Sequence, residues 1–128
     1  MIKIFTDGGA RGNPGPAAIG VIIGDRHYSK YIGQRTNNQA EYEAIVFALE
    51  QAQKLALLEL EINLDSELVC KQLNQEYKVR DKDLQPLFIK ARNLSLGFSK
   101  VIFKHILRDK NKEADKLVNQ ELDKQCFI

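Results

Sequence analysis

Residues 1–33, MIKIFTDGGARGNPGPAAIGVIIGDRHYSKYIG, contain three segments rich in β-forming residues, separated by residues that favour turns. The strands are predicted at residues 1–7, 17–24 and 27–33. Glycine and proline dominate residues 8–16, which predicts a loop, and Asp25-Arg26 are predicted to form a tight turn. Three strands joined by short connections predict an antiparallel meander.

The rest of the chain alternates between helical and strand-like patterns. Thr36-Asn37-Asn38 precede a long amphipathic helical pattern, and either asparagine is a candidate cap. A strand, a short helix, a second helix, a strand and a closing helix follow, at residues 59–65, 66–74, 83–96, 99–107 and 111–124. This order predicts an α/β fold with a mixed five-stranded sheet, three antiparallel strands and then β/α units, flanked by helices.

Length and composition indicate an ordinary globular protein. The 128 residues match one domain, which we expect to span residues 1–128. The formal net charge of +2 is compatible with a polyanionic partner, although strong nucleic-acid binders usually carry a larger basic excess. No apolar run approaches the ~18 residues of a transmembrane helix, and no signal peptide is visible. We therefore expect no membrane association and a cytoplasmic location.

The two cysteines, Cys70 and Cys126, lack the C-x-x-C spacing of zinc and redox motifs. Two reduced thiols are the expected state in the cytoplasm, and a disulfide between them is the alternative. The apolar tail Cys126-Phe127-Ile128 is open to packing on the core or on a neighbouring molecule.

Four carboxylates stand at predicted strand ends and helix starts. Asp7 ends the first strand before two glycines, and Asp65 ends the fourth strand. Glu41 lies on the apolar face of its helix, in what the pattern predicts to be the first turn. Asp115 lies in the first turn of the closing helix, at the border of the apolar stripe. Each alone has an ordinary explanation as a turn residue, a cap, a salt-bridge partner or a complement to the helix dipole.

The arrangement of the four acids is more informative than any one of them. Neighbouring strand ends and helix starts can bring all four to one sheet edge. Four adjacent carboxylates would raise one another's pKa values unless cations neutralise them. Hard divalent cations with oxygen ligands are the natural partners, and Mg²⁺ suits a phosphate substrate.

Four blocks of the sequence closely resemble the signature blocks of type 1 ribonuclease H, in the same order and at suitable spacing. They are FTDGGARGNPGPAAIG (5–20), TNNQAEYEAIVFAL (36–49), LDSELVCKQL (64–73) and NKEADKLVN (111–119). The segment QLNQEYKVRDKDLQPL (72–87) is similar to the compact variety found in archaea and some bacteria, which lacks the basic handle of longer enzymes.

The resemblance implies metal-binding and catalytic roles for the four acids. The acids of the T-D-G, N-N-x-x-E, D-S and N-x-x-A-D blocks match Asp7, Glu41, Asp65 and Asp115. The family's substrate contacts match Gly8, Gly9, Asn13, Asn37, Asn38 and Glu67. Longer relatives often carry glutamine at the last of these positions, and a glutamate there cannot donate a hydrogen bond to a base.

A family histidine that assists catalysis lies six residues before the asparagine of the last block. That position holds His105, which the pattern places on a strand running into a turn. Arg108 is the alternative source of positive charge near the substrate.

The activity implied by the resemblance is hydrolysis of the RNA strand of an RNA–DNA hybrid with two Mg²⁺ or Mn²⁺ ions, giving 5′-phosphate and 3′-hydroxyl ends. A non-catalytic hybrid-binding module is one alternative. Action on double-stranded RNA is another, because the handle that grips DNA is missing. Several cations are candidate phosphate contacts, and the alternative is that they form a solvated charged face. They are Lys71, Lys78, Arg80, Lys82 and Lys90. We expect a monomer.

Overall fold

The structure is a computed structural model that describes residues 1–125. The open questions of whether Cys126 pairs with Cys70, and where the apolar tail packs, concern residues outside this range. No helix within residues 1–125 is long and apolar enough to cross a membrane.

Five strands and four α-helices make up the described residues. The strands are β1 (Ile2–Ala10), β2 (Gly15–Ile23), β3 (Arg26–Arg35), β4 (Glu59–Leu64) and β5 (Lys100–His105). The helices are α1 (Asn37–Lys54), α2 (Glu67–Leu73), α3 (Gln85–Ser95) and α4 (Lys112–Asp123), with a 3₁₀ turn at Arg108–Lys110. The predicted mixed five-stranded sheet flanked by helices is confirmed.

The strands form one sheet in the order β3-β2-β1-β4-β5. The first three strands pair antiparallel, as the meander predicted, whereas β4 is parallel to both β1 and β5. The β1–β4 ladder ends at the pair Phe5–Asn63, while β1 continues along β2 as far as Ala10. The carboxyl ends of β1 and β4 therefore open at one edge, which is where sites form in such sheets.

The two faces of the sheet carry different helices. On the first face, α1, α2 and α3 cover the main core, into which Ile4 of β1 and Leu60, Ile62 and Leu64 of β4 project. On the second face, α4 packs Val118 and Leu122 against Ala18 of β2. Successive residues of a strand face opposite sides of the sheet, so Asp7, Asn63 and the following Asp65 lie opposite the main core and share the second face with α4.

Three local predictions are corrected by the structure. The loop predicted at residues 8–16 is shorter, because Gly8, Gly9 and Ala10 continue β1 in register with β2 despite their weak β propensity. The tight turn lies at Gly24-Asp25 rather than Asp25-Arg26, because Gly24 adopts a φ of +57°. The remaining elements match their predicted bounds to within two residues at either end.

The third correction concerns the start of α1. The cap is Thr36 and not either asparagine. The Thr36 hydroxyl accepts a hydrogen bond from the Gln39 backbone N–H at 3.2 Å, and the Thr36 N–H donates to Gln39 Oε1 at 2.8 Å. This reciprocal capping box leaves the side chains of Asn37 and Asn38 free for other contacts.

Candidate active site

Asp7 lies on the central strand β1, opposite Gly20 of β2, on the face that α4 covers. Its side chain is buried although it carries a carboxylate. The β1–β4 ladder has already ended two residues earlier. Asp7 therefore stands where the two strands separate and where other groups can approach it.

Glu41 reaches this point because Gly8 lets α1 approach the sheet. A Cβ on Gly8 would lie 2.2 Å from the Ala40 carbonyl oxygen, so only glycine fits there. The Gly8 backbone N–H donates a hydrogen bond to Glu41 Oε1 at 2.7 Å. Glu41 is buried, as its place on the apolar face predicted. It lies in the second turn of α1 and not the first, because the helix begins at Asn37.

Asp65 immediately follows β4 and precedes α2. It does not cap that helix, since the Ser66 hydroxyl accepts the hydrogen bond from the Val69 N–H at 3.2 Å. One of its oxygens, Oδ2, instead accepts a hydrogen bond from Asn111 Nδ2 at 2.9 Å. The Asp65 carboxylate is therefore held on the second face of the sheet, beside Asp7.

Asp115 enters from α4, in whose first turn it lies as predicted. A Cβ on Gly20 would lie 2.5 Å from the Ala114 carbonyl oxygen, so α4 packs directly on the backbone of β2 opposite Asp7. Glycines on β1 and β2 thus allow a helix on each face to deliver one acid to the same place.

The four acids form one electrostatic unit. Carboxylate oxygens of Asp7, Glu41 and Asp65 lie within 4.8 Å of one another. Burial raises the pKa of Asp7 from its ordinary 3.8 to about 7; the charges of Asp65 and Asp115 add to this effect, and a hydrogen bond with Glu41 opposes it. Burial and the neighbouring Asp7 also raise the pKa of Glu41 well above its ordinary value, against the effect of the Gly8 N–H. Such a cluster of hard, repelling oxygens fits a divalent cation.

A family model described as reverse transcriptase-like matches residues 5–121. The ribonuclease HI of Halobacterium salinarum is 41% identical over 128 residues, which cover 95% of this chain. The solved ribonuclease H1 of that organism superposes with a TM-score of 0.92 at 40% identity, covering 96% of this chain and 98% of its own. The chain belongs to the ribonuclease H family.

Two further comparisons show how much of other ribonuclease H proteins the chain spans. LC11 ribonuclease H1, isolated from compost and solved in complex with an RNA/DNA hybrid, has a TM-score of 0.94 and 43% identity over 99% of this chain and 100% of its own. A bifunctional protein of Mycobacterium tuberculosis is 36% identical over 95% of this chain. The chain spans 64% of the length of the Halobacterium relative and 35% of the mycobacterial one.

The structure separates the predicted substrate contacts into those that lie at one cavity and those that do not. A cavity of about 470 Å³ contains the four acids and is also lined by Gly8, Gly9, Asn37, Asn38 and Arg108. Asn13 lies beside it, and its Oδ1 accepts a hydrogen bond from the Asn37 N–H at 2.9 Å. Asn37 Oδ1 in turn accepts from the Ala10 N–H at 2.9 Å. The loop after β1 is thereby tied to the start of α1.

Besides Asn13, two predicted residues do not line this cavity. Glu67 is exposed at the first position of α2, where it pairs with Lys71 at 3.6 Å. His105 is the exposed last residue of β5, in register with Leu64. It lies two residues after Phe103 on β5, so it shares the face of Phe103 and points to the α1–α3 side rather than the side of Asp115.

Sequence reasoning missed Gly20 and Asn111. A glycine inside the apolar run AAIGVIIG is a recognised sign that another backbone approaches closely, so Gly20 carried a usable signal. Asn111 begins the N-x-x-A-D block, but apart from that resemblance its position before a helix predicts only an ordinary cap.

Proposed function

We propose that the protein is an endoribonuclease that hydrolyses the RNA strand of RNA–DNA hybrids. The observation that carries this proposal is the convergence of Asp7, Glu41, Asp65 and Asp115 on one cavity in a chain of the ribonuclease H family. The complex of LC11 ribonuclease H1 with an RNA/DNA hybrid supports the choice of substrate. A role as a non-catalytic hybrid-binding module would leave the four buried or half-buried acids without a purpose that offsets their repulsion.

The four acids would hold two divalent cations, Mg²⁺ or Mn²⁺. When bound, such ions activate a water and stabilise the leaving 3′ oxygen of a phosphodiester, which yields 5′-phosphate and 3′-hydroxyl ends. Asp7 stands between the acids from both faces and so is the natural shared ligand. Glu41 is oriented by the Gly8 N–H, and Asp65 by Asn111.

Selection of the RNA strand would depend on the 2′-hydroxyl, which distinguishes RNA from DNA. Asn37 and Asn38 are candidate readers of this group because they line the cavity beside Glu41. The backbone of Gly8 and Gly9 also lines it and is a candidate contact for the sugar–phosphate strand.

Arg108 is our candidate for the cationic assistant. It lies in the 3₁₀ turn before α4, lines the cavity of the acids, and forms no ion pair among the residues that the structure describes. A free guanidinium near a scissile phosphate can bind its oxygens. His105 remains the alternative, although it faces the other side of the sheet.

The second strand would lie along a groove between α2 and α3. The groove has a volume of about 720 Å³ and is lined by Tyr77, Lys78, Phe88 and Arg92, among others. Lys78 and Arg92 form no ion pairs within residues 1–125, whereas Lys71 pairs with Glu67 and Lys90 with Glu50. Cations along a groove suit the phosphates of a nucleic-acid backbone. A double-stranded RNA is a second candidate substrate, because residues 1–125 contain no extended basic handle that would enforce a grip on DNA. The monomeric state and cytoplasmic location stay predictions.

Cleavage of end-labelled 20-base-pair duplexes tests the proposal. An RNA–DNA hybrid, an RNA duplex and a DNA duplex are incubated with Mg²⁺, with Mn²⁺ and with EDTA. We expect the hybrid's RNA strand to be cut only with metal, the RNA duplex to be cut more slowly, and the DNA duplex to stay intact. Binding of the hybrid without cleavage under every metal condition would favour the non-catalytic module.

A further inference from the structure

Asn111 is a buried residue that contacts two parts of the active site at once. Only 1% of its surface is exposed. Its Nδ2 donates one hydrogen bond to the Thr6 carbonyl oxygen and another to Asp65 Oδ2, both at 2.9 Å. Thr6 directly precedes Asp7 on β1, so a single amide group joins the strand of one acid to the carboxylate of another.

The chemistry of these contacts requires a carboxamide. Both partners are acceptors, so the group between them must offer two N–H donors, which an asparagine amide provides and a carboxylate or hydroxyl does not. The amide cannot be turned around, because its oxygen would then face two other oxygens. In the orientation that satisfies both acceptors, Asn111 Oδ1 is buried and finds no hydrogen-bond partner among residues 1–125.

The side chain of Asn111 does not cap α4, although the position of this residue favours capping. It is the residue before α4, where an asparagine side-chain oxygen normally accepts a backbone N–H of the first turn. In the described part of the chain its side chain makes no such capping bond. Only its backbone oxygen contacts the helix, accepting the Asp115 N–H at 3.1 Å. The side chain is thus diverted from the helix to Asp65, and a buried acceptor is left unsatisfied, which is costly unless the other contacts compensate.

We propose that Asn111 is a positioning residue that fixes the Asp65 carboxylate for cation binding, an inference that rests on the function proposed above. It acts through Asp65 and does not touch the substrate. Through Thr6 and the Asp115 N–H it also sets the spacing between β1, Asp65 and the first turn of α4. Replacing it would release the Asp65 carboxylate from the orientation in which it faces Asp7 and Glu41.

Asn63 provides a matched control. It is an equally buried asparagine, 3% exposed, on the same second face of the sheet. Its Nδ2 also donates to a carbonyl of β1, that of Ile4 at 3.2 Å, but its carboxylate partner is Glu61 at 3.1 Å, which is not a site acid. Loss of this amide therefore removes a similar structural contact and leaves the acids untouched.

The experiment compares Asn111→Ala and Asn111→Ser with Asn63→Ala. Mn²⁺ binding to each substrate-free protein is measured by titration calorimetry, and the kcat and KM for hybrid cleavage are measured in saturating Mn²⁺. Loss of a group that orients a metal ligand typically weakens metal binding or activity by about 10–100-fold. We expect that loss in Mn²⁺ affinity and in kcat for both Asn111 variants, with an unchanged KM. We expect Asn63→Ala to lower the melting temperature while keeping the wild-type Mn²⁺ affinity.

The serine variant guards against a folding failure, because serine restores an oxygen that can cap α4. If both Asn111 variants fold and bind Mn²⁺ as tightly as Asn63→Ala, the positioning role is overturned. If the wild-type protein binds Mn²⁺ but cuts no duplex, the proposed activity fails, and the Asn111 role is then decided by the affinities alone. A wild-type protein that binds no Mn²⁺ overturns both.

Discussion

Glu41 and His105 differ in how well their places in the structure could be predicted from the sequence. Glu41 was predictable because a glutamate among the apolar positions of a helix needs a compensating partner, and the structure places it beside Asp7 and the Gly8 N–H. His105 was matched by spacing alone, and spacing does not determine which side of the sheet a strand residue faces. It lies two residues after the buried Phe103 on β5, so it shares that residue's face and points away from Asp115.

The raised pKa values of Asp7 and Glu41 predict how stability depends on pH without metal. A carboxyl group whose pKa is higher in the folded than in the unfolded chain keeps more protons when folded, so stability falls as pH rises. For Asp7 the window runs from its ordinary 3.8 to about 7. We expect thermal unfolding in EDTA to occur at a lower temperature at pH 8 than at pH 5. Mg²⁺ should raise the melting temperature at pH 8 more than at pH 5, because protonated acids bind metal poorly. Equal melting temperatures at both pH values in EDTA would show that the acids are not destabilising when ionised.

At the level of elements, the helices and most strands could be predicted, whereas their contacts could not. In the strand predicted at residues 59–65, Leu60, Ile62 and Leu64 alternate with polar residues, which indicates the core side of β4, and all three are buried. The end of β1 was missed because Gly8 and Gly9 have no β propensity of their own and pair only because β2 lies alongside. Contacts between elements far apart in sequence, such as the packing of α4 on β2, have only indirect signals in the sequence. Gly20 is one, because a glycine inside a strand indicates that another backbone approaches closely.

The approach of α4 to β2 predicts a strong effect of Gly20→Ala. The added methyl group would meet the backbone oxygen of Ala114, which cannot rotate away as a side chain could. We expect α4 to shift, a loss of about 1–3 kcal/mol in the free energy of unfolding, and a fall in kcat because Asp115 moves with the helix. Gly97→Ala is the control, since its nearest contact would be 3.4 Å away and it lies far along the chain from the acids. Urea denaturation and hybrid cleavage measure the two effects. Wild-type stability and turnover in Gly20→Ala would show that the helix does not need this contact.

The groove between α2 and α3 predicts which cations bind the substrate. Lys78→Ala and Arg92→Ala should each weaken hybrid binding, because each lines the groove without an ion-pair partner among the described residues. Each lost phosphate contact should also lower the slope of log affinity against log salt concentration by about 0.9. Lys90→Ala is the matched control, since Lys90 pairs with Glu50. If Lys90→Ala weakens binding as much as the other two, the second strand lies elsewhere.

At the scale of the whole molecule, the site follows from the topology of the sheet. The parallel strand β4 lies beside β1, so Asp7 and the residue after β4 meet at one edge. Helices on opposite faces then add Glu41 and Asp115. The sequence predicted five strands and their class of sheet, but the pairing of β4 with β1 links residues nearly 60 positions apart and has no local signal.

The central claim is that these four acids hydrolyse the RNA strand with bound cations, and Asp7→Asn tests it most directly. The amide keeps the size of the side chain and removes the charge that two cations would share. Turnover of a labelled RNA–DNA hybrid in Mg²⁺ and hybrid affinity in EDTA are measured for the wild-type and variant proteins. We expect wild-type cleavage, no detectable cleavage by Asp7→Asn, and similar hybrid affinity for both. Near-wild-type turnover by the purified variant would contradict the account.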